Sequence, residues 1–337
     1  MRIVIAHIDP AEGVAWQQAL ADRLPGADVR IDSCTSFQPD YAVGWKPPLD
    51  FFDRHPGLKA FFSCGAGVDH LMAHPGLPSA MPVFRLEDAG MAALMADYCL
   101  HELLRIAGRH DAYAKAQTSA TWLALEPLPR AHLAVGVLGM GVLGRQVAHR
   151  LAEAGFPVVG HARTPDQTGQ TFQGGLPDRG PSAAGPSELP NRLVTAAGPI
   201  DILRGPEQLA AFLARTRVLI LLAPLTPQTQ DLIDAQVLSQ LQADAWLINV
   251  ARGGLVVDQD LITALDDGHL AGATLDVFRE EPLPASHPFW HHPKIRITPH
   301  VSAPTQVAVS ADQVASKLAT LQRGHMPSGL IERHRGY

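Results

Sequence analysis

The chain has 337 residues, 46% of them hydrophobic and 18% charged, with a net charge of −6. That length accommodates two domains, and the acidic balance without a basic stretch excludes a nucleic-acid footprint. No run approaches the roughly 18 apolar residues of a membrane helix, the three cysteines (Cys34, Cys64, Cys99) form no paired framework, and Met1–Pro10 lacks a signal-peptide core, so the expected location is the cytoplasm.

Taken in order, Ile3–His7 reads as a buried strand and Val14–Leu24 as a helix. Short strands follow at Asp28–Ile31 and Tyr41–Gly44, then a brief helical stretch at Phe51–Arg54. Leu58–Ser63 is another strand, running into Cys64-Gly65-Ala66-Gly67-Val68-Asp69, and Val83–Leu86 closes this first lobe. Strands alternating with helices predict a parallel sheet with crossover helices. Met91–Gln117 has few breakers and predicts one long helix leading into a second lobe. There, strands are expected at Leu133–Leu138, Val158–Gly160, Val218–Leu222, Trp246–Asn249, Ala273–Leu275 and Ile295–Thr298. Helices fit at Val142–Ala154, Pro206–Arg215, Ala235–Leu241 and Gln259–Asp267. A last helical stretch, Ala308–Gln322, is placed to pack back on the first lobe. The predicted fold class is α/β, with two Rossmann-like doubly wound parallel-sheet domains and the active site in the cleft between them. The expected domains are a discontinuous substrate-binding, flavodoxin-like one (1–99 plus 304–337) and a dinucleotide-binding one (100–303). Pro165–Pro199, rich in Gly, Pro, Ser and Gln, reads as a long excursion of the second domain, either disordered or a mobile flap.

The second lobe is organised around Gly139-Met140-Gly141-Val142-Leu143-Gly144, a G-x-G-x-x-G between a strand and a helix. In that context Gly139 permits a tight turn, Gly141 admits a pyrophosphate to the backbone and Gly144 lets helix and strand pack closely. The helix N-terminus adds free N–H groups and a positive dipole end. The second strand of such a unit normally ends in an acid that pairs with the ribose 2′-hydroxyl of NAD. Here it ends His161-Ala162-Arg163-Thr164. An arginine and a hydroxyl suit a 2′-phosphate, so the expected cofactor is NADPH, with NADH weaker.

Three further side chains fall just past strand ends of the same sheet: Arg252 in Asn249-Val250-Ala251-Arg252-Gly253, Glu281 in the loop after Asp276, and His300 after Thr298-Pro299. Ligands of open α/β sheets bind at that edge. Arginine there can hold a carboxylate or polarise a carbonyl, and a His–Glu pair makes a proton donor.

Several stretches in order carry a resemblance: GAGVD at 65–69, FRLED at 84–88, GMGVLG at 139–144, TRVLILLAPLTPQT at 216–229, NVARGGLVVDQDLITALDDG at 249–268, LDVFREEPLP at 275–284, ITPHVSA at 297–303 and the terminal RGY. The chain resembles the D-isomer-specific 2-hydroxyacid dehydrogenases, and within them the bacterial glyoxylate/hydroxypyruvate reductase A group. The resemblance implies a catalytic set of Arg252, Glu281 and His300, with His300 as proton donor and Arg252 stabilising the developing alkoxide. It implies that backbone N–H groups of Gly65, Ala66, Gly67 and Val68 bind the substrate carboxylate, and that Trp45 and Arg85 lie near the substrate pocket. It places Met95, Ala223, Pro224, Val250, Ala251 and Asp276 against the cofactor, on the nicotinamide side where a side is implied. The implied substrates are small 2-ketoacids, glyoxylate and hydroxypyruvate, reduced to glycolate and D-glycerate, and the implied assembly is a homodimer through the nucleotide-binding domain. The chain departs from the group in Pro165–Pro199, which lies beside the expected 2′-phosphate site.

Other candidates read more plainly. Cys64 reads as a small packing residue. His287, His291 and His292 cluster around Trp290 in a Pro-rich loop without acidic or Cys partners, so packing or surface roles are expected, and no metal site. Asp97 and Glu102 are expected on the solvated or ion-paired face of the long helix. Two alternative functions remain at this stage: the same chemistry on a bulkier 2-ketoacid, and a non-enzymatic dinucleotide-responsive binding protein. The joint presence of Arg252, Glu281 and His300 argues against the second.

Overall fold

Strand β1 (Arg2–His7) is buried on both faces through Ile3, Val4, Ile5 and Ala6, as a central parallel strand must be when helices cover both sides of the sheet. The protein is described by a computed structural model at residues 1–32, 37–163, 188–189 and 192–336, and for 188–189 as backbone only. These residues form two units, one of Met1–Met91, Pro224–Pro227 and Pro304–Tyr337, the other of Ala92–Ala223 and Gln228–Ala303.

In the first unit, helix α1 (Pro10–Arg23) begins earlier than the apolar pattern predicts. Asp9 caps it, accepting the N–H groups of Ala11 at 2.8 Å and Glu12 at 3.3 Å, with Pro10 pre-set in the first turn. Then come β2 (Asp28–Ile31), β3 (Tyr41–Trp45), α2 (Phe51–Arg54), β4 (Ala60–Ser63), α3 (Asp69–Met72) and β5 (Val83–Phe84). The sheet is all parallel in the order β2-β1-β3-β4-β5, that of a flavodoxin-like sheet. Phe51, Phe52, Phe61 and Leu71 fill one face of it.

The second unit opens with a helix pair rather than the single helix predicted over 91–117. Helix α4 (Met91–Ala107) stops at Gly108, and Arg109, with φ of +57°, turns the chain left-handed into α5 (His110–Thr118). Gly108 supplies the break, since a Cβ there would press on the His110 ring. Beyond these helices lie β6 (Val135–Leu138), α6 (Val142–Glu153), β7 (Val158–Ala162), β8 (Glu188–Leu189), β9 (Arg192–Thr195), β10 (Gly198–Arg204) and α7 (Leu209–Ala214). They continue as β11 (Val218–Leu221), α8 (Ala235–Ser239), β12 (Ala245–Asn249), α9 (Asp258–Asp266), β13 (Leu270–Leu275) and β14 (Ile295–Ile297). The chain then re-enters the first unit with α10 (Val307–Gln322), which packs on α1 and pairs Asp312 with Arg23 at 2.5 Å.

The nine-stranded sheet runs β14-β13-β12-β11-β6-β7-β10-β9-β8. Counted from β6, its centre has the 3-2-1-4-5-6 order of a dinucleotide-binding sheet, with β14 as a seventh strand. Its third strand is β10, which the sequence reading did not separate from the preceding excursion. Ile200 and Ile202 alternate into the core, but Gly198 and Pro199 open the strand and mask the signal. β9 pairs antiparallel with β10 and β8 with β9, so the Pro165–Pro199 excursion is a hairpin at its C-terminal end. Its remainder, residues 165–187 and 190–191, lies outside the described residues.

Helix α4 is bound to this sheet by apolar contacts of Ala96, Cys99, Leu103 and Ile106 and by one buried ionic cluster. Glu102, 3% exposed, accepts from Arg105 Nε at 2.9 Å and from Thr274 Oγ1 of β13 at 2.7 Å. Arg105 also pairs with Asp111 and lies 5.4 Å over the Trp246 ring. Glu102 therefore sits on a buried, ion-paired face of its helix and not a solvated one. Replacing Glu102 by Ala leaves the buried guanidinium of Arg105 without its nearest carboxylate and the Thr274 hydroxyl proton without its acceptor, although the Thr274 oxygen still accepts from Arg105 Nη2 at 3.2 Å. We expect a loss of about 3 kcal/mol in urea-induced unfolding, and a smaller loss for the paired change Glu102→Leu, Arg105→Met.

Candidate active site

At the end of β6 the chain must turn sharply into α6, and glycine is required at two points. Gly139 has φ of +111°, and a Cβ there would overlap the backbone of Leu222 and Ala223. A Cβ on Gly144 would overlap the Gly139 carbonyl, so helix and strand approach as closely as they do only without one. Gly141 is different: a Cβ would meet nothing within 4 Å, so its backbone faces open space at the start of α6. It is the N-cap of that helix, in extended conformation with no side-chain cap, which leaves the first N–H groups and the positive dipole end to a ligand. That cradle fits a dinucleotide pyrophosphate. Around it, Met140 is buried against Gly160, while Val142 and Leu143 are half-buried.

β7 ends at Ala162, followed by half-buried Arg163; Thr164 lies outside the described residues. The missed strand β10 ends at Arg204, in register with Ala162, so it brings a second guanidinium to the adjoining strand end. His161 joins the two strand ends through a 3.0 Å contact between its Nε2 and the Gly205 carbonyl. Burial pulls the pKa of this imidazole down, against the opposing effect of that carbonyl, so the ring stays neutral as a structural donor.

β12, β13 and β14 are neighbours in parallel register, so the segments following them leave the sheet at one edge. After β12, Asn249 shapes the turn that presents Arg252. Its Oδ1 accepts the Ala251 N–H at 3.1 Å and its Nδ2 donates to the Arg252 carbonyl at 2.9 Å. Arg252 is half-buried and its Nη1 reaches the Ala251 carbonyl at 2.7 Å. Val250 and Ala251 are buried behind it. Gly253 follows because a Cβ there would collide with the backbone of Phe278 and Arg279, the segment leading to Glu281.

Glu281 is held by its own loop: Oε1 accepts the Phe278 N–H at 3.0 Å, and the peptide bond to Pro282 is cis. Its other oxygen, Oε2, lies 2.9 Å from His300 Nδ1. A carboxylate at Nδ1 requires the proton there, so Nε2 on the far side of the ring is the position for proton transfer. The His300 side chain is 42% exposed, its Glu281 partner 24%. His300 itself is left-handed, with φ of +56°. Its N–H is held by the carbonyls of Asp276 at 2.7 Å and Thr298 at 3.1 Å.

Two residues expected on the nicotinamide side, Asp276 and Met95, are buried. Asp276 is fully buried, and its carboxylate faces donors from Thr298, Val301 and Ser302. Met95 is packed into the α4 side of the core. Ala223 is buried after β11, and Pro224 groups with the first unit. The sequence reading also missed Asn249 as a turn-former and Tyr98, whose hydroxyl meets Thr298 Oγ1 at 2.6 Å. Neither sits in a pattern that a strand or helix period would single out.

In the first unit, the Gly65–Val68 loop follows β4 directly. The Gly65 N–H donates to Ser63 Oγ at 3.2 Å and its carbonyl accepts the Leu86 N–H at 3.2 Å. Gly65 is a glycine because the Trp45 ring lies where a Cβ would stand, 2.5 Å from it. Trp45 is half-buried, its ring centroid 4.0 Å from that of His70. Arg85 is half-buried, its N–H tied to the Gly329 carbonyl at 2.9 Å. Cys64 is buried, and burial raises its thiol pKa well above the ordinary range, so it packs as an inert thiol. Back in the second unit, His287 pairs with Asp258 and His292 with Asp266, and among the described residues no group of His, Cys, Asp and Glu is arranged to hold a metal ion.

The model of the D-isomer specific 2-hydroxyacid dehydrogenase NAD binding domain matches residues 100–177 and 201–302, and so skips the larger part of the excursion. A glyoxylate/hydroxypyruvate reductase A of Yersinia enterocolitica is 40% identical over 332 residues, covering 97% of each chain. Among solved structures, a D-isomer specific 2-hydroxyacid dehydrogenase of Xanthobacter autotrophicus, in complex with NADPH and MES, superposes with a TM-score of 0.85. It is 34% identical and covers 100% of this chain and 99% of its own. An NADPH-dependent glyoxylate/hydroxypyruvate reductase of Sinorhizobium meliloti, in complex with NADP and sulfate, also has a TM-score of 0.85, at 31% identity and with the same coverage. The glycine cradle, the strand order and these full-length similarities agree: the chain belongs to the D-isomer-specific 2-hydroxyacid dehydrogenases.

Proposed function

We propose that the protein is an NADPH-dependent reductase of small 2-ketoacids, acting on glyoxylate and hydroxypyruvate, with Arg252, Glu281 and His300 as its catalytic residues. The observation that carries the reading is the 2.9 Å pair of His300 Nδ1 and Glu281 Oε2 at the strand-end edge that also bears Arg252, in a chain with full-length likeness to reductases of these acids.

The cofactor, when bound, supplies a hydride to the ketone carbon; its pyrophosphate is held by the amides at Gly139–Gly144, and its 2′-phosphate by Arg163, with Arg204 on the neighbouring strand. Pro224, Val250 and Ala251 line the nicotinamide side. His300 gives the Nε2 proton to the oxygen that becomes the hydroxyl, and Glu281 keeps the ring turned for that transfer. The Arg252 guanidinium stabilises the negative charge that grows on the same oxygen, an interaction strongest in the transition state. The substrate carboxylate is bound by the amides of Ala66, Gly67 and Val68, since the Gly65 N–H is engaged by Ser63. Trp45 and Arg85 bound the substrate side. The first unit is thus the substrate-binding domain and the second the nucleotide-binding domain.

The same reading includes a homodimer through the second unit, supported by Trp122 at 98% exposure with Leu104 and Leu123 also exposed on that unit. It includes a cytoplasmic location, supported by the free, buried thiols of Cys64 and Cys99.

Steady-state kinetics with glyoxylate, hydroxypyruvate and phenylpyruvate, each with NADPH and NADH, test the assignment. We expect the highest kcat/KM for the two small acids with NADPH; turnover of phenylpyruvate alone would overturn the substrate. His300→Ala and Arg252→Ala should each lower kcat/KM by about 100-fold or more. Near-unchanged values would remove the catalytic set. Arg163→Ala should raise KM for NADPH and leave that for NADH unchanged, and equal effects on both cofactors would remove its phosphate role.

A further inference from the structure

The loop that carries His300 is wrapped around a single buried carboxylate. Asp276 is fully buried, and both its oxygens accept backbone N–H groups: Oδ1 from Val301 at 2.8 Å and Oδ2 from Ser302 at 2.9 Å. Its backbone carbonyl takes the His300 N–H at 2.7 Å. The remaining contact is with Thr298 Oγ1, 2.5 Å from Oδ1. With both carboxylate oxygens already accepting, the proton in that contact comes from the threonine. A threonine hydroxyl has one proton to give, so in the 2.6 Å contact between Tyr98 and Thr298 the phenol is the donor. The direction of the whole chain is thereby set: Tyr98 O–H to Thr298 Oγ1, Thr298 O–H to Asp276 Oδ1. Burial raises the Tyr98 pKa, outweighing the opposite pull of the Thr298 hydrogen bond, so the phenol keeps its proton.

The chain of hydroxyls has a fixed origin. Tyr98 lies on α4, whose Glu102 is bound to Thr274 of β13, two residues before Asp276. The helix thus grips the end of β13 at Thr274 and the segment after β14 at Thr298. His300 stands two residues past the second grip, its N–H held by the carbonyls of Asp276 and Thr298, and is left-handed at φ of +56°, a conformation a histidine holds only where its surroundings dictate it.

We propose that the Tyr98 and Thr298 hydroxyls are positioning residues, a directed hydrogen-bond relay into Asp276 that holds the proton donor His300 in its productive place. The proposal rests on His300 being that donor. Tyr98 touches neither substrate nor cofactor in this account; it acts through Thr298, and Thr298 through the carboxylate.

The test is a set of variants, Tyr98→Phe, Thr298→Val, Thr298→Ser and the double Tyr98→Phe/Thr298→Val, assayed with glyoxylate and NADPH beside His300→Ala. Thr298→Val should lower kcat by about tenfold or more, with KM for glyoxylate and the fluorescence-measured Kd for NADPH within about twofold of the parent, since a misplaced donor slows chemistry without weakening binding. Thr298→Ser, which restores the hydroxyl, should keep at least about half of kcat. Tyr98→Phe should lower kcat several-fold, and the double variant should be no slower than Thr298→Val alone, because Tyr98 has no other route. Full kcat in Tyr98→Phe or Thr298→Val while His300→Ala is inactive would overturn the relay and leave the catalytic set standing. So would losses that multiply in the double variant, which would mark two independent packing defects. An active His300→Ala would overturn both the relay and the reading beneath it.

Discussion

Parallel register is the constraint from which the rest follows. In a parallel sheet every strand runs the same way, so every C-terminal end arrives at one edge, and each return must be made by a crossover on the sheet's face. From β10 to β14 the second unit obeys this over seven strands. The glycine turn, Arg163, Arg204, Arg252, Glu281 and His300 come from six different places in the chain, yet all follow strand ends on that edge. The order reverses between β6 and β11, and the glycine turn stands at this switch point. A reductase built there needs only short, well-held segments after each strand.

How those segments are held differs with their task. The glycine turn is held by contacts that exclude a side chain: Gly139 against Leu222 and Ala223, Gly144 against the Gly139 carbonyl. The Arg252 turn is held by both ends of one asparagine amide. The His300 segment is held by a buried carboxylate and by a second carboxylate on the ring, one fixing the backbone and the other the tautomer. Burying the first is tolerable because its oxygens are fully met by donors; an unmet buried carboxylate would be strongly unfavourable. The histidine ring is exposed while its anchor is buried, so the ring is accessible and its backbone is held.

Where expectation and structure parted, the reason was a local break in one place and long-range pairing in the others. Met91–Gln117 has few breakers, but at one of them, Gly108, the chain turns, with Arg109 left-handed at φ of +57°. Ile200 and Ile202 alternate as a strand should, yet Gly198 and Pro199 read as the end of a loop until β9 is seen to pair with Gly198–Asp201 and β7 with Asp201–Arg204. Asp276 is expected against the cofactor, and only the three donors folded around its carboxylate show how it anchors the segment after β14.

The sequence by itself determined the fold class, the glycine turn, an arginine in place of an acid at the end of β7, and the placing of Arg252, Glu281 and His300 just past strand ends. Each of these is written in local chemistry: periodicity, residues that alone tolerate a sharp turn, or charge placed just beyond an apolar run. Tertiary structure decided which strand lies third, where α4 ends, and that His300 meets Glu281 on one side and the Asp276 clamp on the other. These depend on contacts between residues as far apart as Tyr98 and Thr298. No local pattern encodes such a contact, because the hydrogen-bonding capacity of a tyrosine or a threonine is the same wherever it stands, and only folding selects its partner.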